Sequence, residues 1–126
     1  MTVFHSVSIR ERNGDELLDI SLVVDVTSVT AYAIGVKQSF LDRVGLTVNR
    51  KSQTSGTATA HPSVSCSLEH GFRLLSGGAK ANWTGAGNLL TASFPQDRHA
   101  WVARSKDHIA SDPCTITAWC VGIGSK

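Results

Sequence analysis

The sequence of 126 residues predicts an all-β fold, a single-domain antiparallel β-sandwich or closed barrel of about nine or ten short strands. Three observations carry this expectation. Hydrophobic residues make up 41% of the chain and charged residues only 17%, a balance that suits strands and tight turns better than solvated amphipathic helices. Turn residues interrupt the chain about every ten positions. One strand pattern also occurs twice, at residues 25–36 and 112–123.

Residues 3–10 alternate, with Val3, His5, Val7 and Ile9 on one side. Asn13-Gly14 then marks a two-residue hairpin, because both positions tolerate positive φ. Strands are expected at 17–24 and 28–36. Residues 39–44 form at most a helical turn, too short to alter the fold class. A short strand is expected at 45–49. The polar stretch 51–60 reads as an exposed strand or a loop, closed by His61-Pro62. Further strands are expected at 64–68, 72–75 and 79–83. The Gly77-Gly78 pair between the last two signals a bulge or a close approach of backbone. After a turn at 85–88 come strands at 89–94 and 100–104, joined by a loop at 96–99. A polar connection at 105–113 leads to the last strand, 115–123.

The two copies of the repeat align without gaps. Asp25, Thr30, Ala31 and Gly35 match Asp112, Thr117, Ala118 and Gly122. Val29, Tyr32 and Ile34 exchange conservatively with Ile116, Trp119 and Val121. Each copy sets small residues beside large ones, the pattern of a strand packed closely on one side. Duplication of a scaffold strand explains this, with Tyr32 and Trp119 as equivalent core positions.

Several function classes are disfavoured. The net charge is only +2 and no basic run extends beyond Arg50-Lys51, so nucleic acid is not an expected partner. No apolar run approaches the ~18 residues of a transmembrane segment. Residues 1–10 lack the pattern of a signal peptide, which points to a soluble chain, cytoplasmic or exported by a non-classical route. The three cysteines, Cys66, Cys114 and Cys120, form no C-x-x-C pair. They read as buried small hydrophobes, with one disulfide from Cys66 to a C-terminal cysteine as the alternative. The five histidines, His5, His61, His70, His99 and His108, show no metal-ligand spacing, so neither metal nor cofactor is expected. No serine lies in a nucleophile-elbow context, and no catalytic residue is assigned.

Residues Gly77-Gly78-Ala79, the run from Gly87 to Ser93, the run from Trp101 to His108, and Thr115 to Trp119 together carry a resemblance. Residues 58–124 resemble a self-contained all-β module found in bacterial proteins. The resemblance implies a β-module and brings no activity with it.

Ser105-Lys106-Asp107-His108 is the most polar cluster of the chain. Trp83 and Trp101 border polar loops, and a tryptophan beside amides and carboxylates is the usual equipment for stacking on a sugar ring. The expected function is therefore a non-catalytic, lectin-like binding module for carbohydrate or another polar ligand. Its loops 82–88 and 96–108 would supply Trp83, Asn88, Trp101, Lys106, Asp107 and His108. Against this stand turn chemistry at 105–108 and ordinary packing of the tryptophans. Two alternatives are a homo-oligomeric assembly module and a small metal-free enzyme using Asp107 and His108 as acid and base.

Overall fold

A computed structural model describes Thr30, Ala33 and residues 35–126. The strands expected at 3–10 and 17–24, the Asn13-Gly14 hairpin, His5 and most of the first repeat copy, Tyr32 included, lie outside the described residues. Val36–Lys126 forms a compact unit that contains every described helix and strand.

The unit begins with the helix α1, Gln38–Arg43, which buries Leu41. Gly45, at φ 68°, ends it, its amide donating back to the Asp42 carbonyl. Six strands follow: β1 Leu46–Thr54, β2 Ser63–Ser67, β3 Arg73–Asn82, β4 Asn88–Pro95, β5 Ala100–Asp107 and β6 Thr115–Ser125. They form two three-stranded sheets, ordered β1-β6-β3 and β2-β5-β4, with every pair antiparallel. Among the described residues the two sheets face each other as in a sandwich, and they do not close into a barrel. Among the described strands only β4 and β5 join as a hairpin. Asp97 shapes its tip, accepting the amides of His99 and Ala100 at 2.6 and 2.9 Å.

Within the described residues the strands are fewer and longer than expected, for two reasons. Residues 73–82 are one strand, because Gly77 and Gly78 stay paired to Cys120 and Trp119 and the irregularity falls at Leu75 instead. The polar residues Lys51 to Thr54 continue β1, because β6 offers them partners as far as Thr117.

The strand β6 is central in its sheet and alternates cleanly. Ile116, Ala118 and Cys120 are buried and face the other sheet. Cys66, Leu68 and Ala103 meet them, with Trp101, Leu74 and Phe72 packed around. The small-residue face is thus the core face. Trp119 is not core but 40% exposed on the outer face, between Ser52 and Gly78. The inner face holds glycine and alanine so that the sheets can approach, and the large ring is left to the outside. Next to it Thr117 accepts from Asn82 at 3.0 Å and pairs with the Thr54 hydroxyl at 2.8 Å.

Candidate functional site

The register of the β2-β5-β4 sheet creates a groove on its outer face. Along β5, Trp101 and Ala103 face the core, which turns Arg104 and Lys106 outward. Arg104 pairs with Ser63 on one side and Ala92 on the other. The β4–β5 register shifts between Leu90 and Ala92, leaving Thr91 as the extra residue. A bulge of this kind re-aims a side chain and strengthens local twist. The result is a groove of about 340 Å³ lined by His61, Pro62, Ser63, Thr91, Arg104 and Lys106, with Ser105 in its wall.

The groove carries one sign of charge. Arg104 brings a guanidinium, Lys106 an ammonium and His61 an imidazole, and no lining residue is acidic. Among the described residues the ion pairs are Lys51–Glu69 and Lys126–Asp42, so neither groove cation is neutralised by a carboxylate. The Arg104 guanidinium lies over the Phe94 ring, 5.8 Å from its centroid, which orients it without consuming its charge. Ser63 and Thr91 supply hydroxyls able to donate and accept.

The six residues singled out from the sequence divide into separate places. Asn88 and Asp107 come together: Asn88 Nδ2 donates to Asp107 Oδ1 at 2.9 Å. The same oxygen accepts the Asp112 amide at 3.1 Å. Asn88 is 5% exposed and also reaches the carbonyls of Asp112 and Ala60. Asp112 in turn accepts the amides of Gly85 and Gly87 at 3.0 and 2.8 Å. This network ties the turn at 85–87 to the loop after β5, and it commits the Asp107 carboxylate to structural partners. Lys106 lies one residue away, in the groove.

Trp101 sits near the opposite end of β5, about 20 Å from Asp107 by strand rise. Its ring covers Gly77 in the core, and its Nε1 donates to Ser93 Oγ at 2.9 Å. Trp83 is partly buried just beyond β3. His108 is exposed, and no hydrogen bond joins it to Asp107 among the described residues. It opens a tight turn in which Ala110 N donates to His108 O at 2.6 Å. Ile109, at its tip, is 99% exposed with φ at 62°, a strained position for a β-branched residue.

Sequence reasoning missed His61, Ser63, Thr91 and Arg104 as a group. One signal was available: Arg104 and Lys106 stand two apart on a strand and therefore share a face. The contributions of β2 and of the bulge depend on register and leave no local trace.

Among the described residues no group of three or more His, Cys, Asp or Glu is placed to hold a metal ion. No helix among them is long and apolar enough to cross a membrane. Comparison of the chain with protein-family models, with curated proteins and with solved structures returns no match.

Proposed function

We propose that the domain is a non-catalytic binding module that takes an acidic polar ligand, an acidic saccharide by class, in the groove across β2, β5 and β4. The observation that carries this reading is the groove's lining: Arg104, Lys106 and His61 with Ser63 and Thr91, and no carboxylate. A carboxylate or sulfate group gains charge-assisted hydrogen bonds from the guanidinium and ammonium, each worth about 1.5–3 kcal/mol. The hydroxyls of Ser63 and Thr91 match those of a sugar. Lys106 stays in the site from the sequence-based expectation, while Trp101 is engaged in packing and Asp107 in the loop network.

The test is a glycan panel containing neutral, uronic-acid, sialylated and sulfated members, followed by titration calorimetry. Acidic members should bind and neutral ones should not, with affinity falling as salt rises. Arg104→Ala or Lys106→Ala should each weaken binding about tenfold, the equivalent of ~1.4 kcal/mol. Trp83→Ala should leave it unchanged. Undiminished binding by the Arg104→Ala, Lys106→Ala double variant would remove the groove from consideration.

A further inference from the structure

A pair of buried cysteines faces across the two sheets. Cys66 on β2 and Cys120 on β6 are 2% and 0% exposed, and their Sγ atoms lie 2.9 Å apart. A covalent bridge needs Sγ atoms about 2.05 Å apart and Cα atoms within about 7 Å. At 2.9 Å the two sulfurs are already close to bonding distance across the core, and their neighbours make room for them. Cys66 is paired with Trp101, and Cys120 with Gly77. The Trp101 ring occupies the space that a side chain at Gly77 would take. One layer of the core is therefore Cys66 and Trp101 on one sheet against Cys120 and Gly77 on the other. Ala103 and Ala118, both fully buried, flank it. Gly122 lets Leu68 approach on the next inward position of β6.

We propose that Cys66 and Cys120 form an intersheet disulfide by exchange with a low-molecular-weight disulfide, leaving Cys114 as a free thiol. In the exchange, one cysteine thiolate attacks the external disulfide and displaces a thiolate. The second cysteine thiolate then attacks the protein sulfur of the mixed disulfide and releases the other half. The protein pair loses two electrons and two protons. The external disulfide gains both and leaves as two thiols.

Both sulfurs are shielded in the closed sandwich, so exchange belongs to folding or to a transient opening. Burial, with the Cys66 thiol beside it, pushes the Cys120 thiol up to about 12, which keeps the folded Cys120 a poor nucleophile at neutral pH. Cys114 is excluded by distance. It precedes β6 and lies about 20 Å from Cys120 by strand rise.

The experiment refolds the full chain from denaturant in a mixture of reduced and oxidised glutathione, with a parallel sample in excess reductant. The oxidised product should be lighter by two hydrogens. It should show one titratable thiol on denaturation where the reduced chain shows three. Proteolytic mapping should join the peptides bearing Cys66 and Cys120. The bridge spans 54 positions, so the oxidised form should melt about 10 °C or more above the reduced one. Cys114→Ala should keep the bridge and Cys120→Ala should abolish it. Three titratable thiols in the chain refolded with oxidised glutathione would overturn the proposal. A linkage through Cys114 would do the same, as would a folded Cys114→Ala variant that forms no bridge. The Cys114→Ala arm decides the matter even if Cys120→Ala does not fold.

Discussion

A side chain at Gly77 would overlap the Trp101 ring, whereas one at Gly78 would meet nothing within 4 Å. The two neighbours face opposite sides of β3, one toward the core and one beside Trp119. Their chemistry is identical, so the difference in cost isolates the effect of packing. Gly77→Ala should destabilise the domain by about 3 kcal/mol, the upper part of the range for an overfilled core. Gly78→Ala should change stability by no more than ~0.5 kcal/mol. Urea unfolding of the two variants compares them directly. Equal losses would mean that the Trp101 ring is not what sets the need for glycine at position 77. The Gly-Gly pair was legible in sequence as a place of close approach. What approaches was not legible, because Trp101 reaches Gly77 from the other sheet and from a strand 24 positions on.

Between elements, the loops at the far end of the sandwich are held by side chains rather than by backbone pairing. Asn88 sits at the start of β4 and donates to Asp107 at the end of β5, and Asp112 holds the turn at 85–87. Truncating Asn88 removes its bonds and leaves the Asp107 carboxylate one donor short. Asn88→Ala should therefore cost about 1–3 kcal/mol. It should also raise amide hydrogen exchange at Gly85 and Gly87 more than at β6. Uniform loosening of the domain would show that Asn88 serves the core and not the loops. The polar residues here mark the reach of a linear reading. Residues 105–107 read as a connection, yet they extend β5, because Ser105 and Asp107 donate to the carbonyls of Pro62 and Ala60. Those partners come from a segment more than forty positions earlier, and no local propensity announces them. The Asp shared by both repeat copies was visible in the sequence. Its task in the second copy, gathering the amides of Gly85 and Gly87, depends on tertiary placement.

At the scale of the whole molecule, the described sandwich closes on itself within Val36–Lys126. Both sheets, the central strand β6 and every residue of the buried cluster come from this stretch. The two ends of this unit are tied as well: Lys126 N donates to Gly45 O at 3.1 Å, and its ammonium pairs with Asp42. A domain of ~90 residues has enough surface to bury for independent folding, though with modest stability. The all-β class was readable because it rests on composition and alternation, which are local. The division of strands between two sheets was not, because most of the connections among the six described strands cross from one sheet to the other. The prediction at this scale is that residues 36–126 fold without the first 35. A chain beginning at Val36 should unfold in urea in a single cooperative transition, with a stability of about 5 kcal/mol. Its acidic-ligand affinity should equal that of the full chain, since every groove residue is retained. A broad transition, or exposure of apolar surface to a hydrophobic dye in native buffer, would show instead that the sandwich needs residues 1–35 to complete its core.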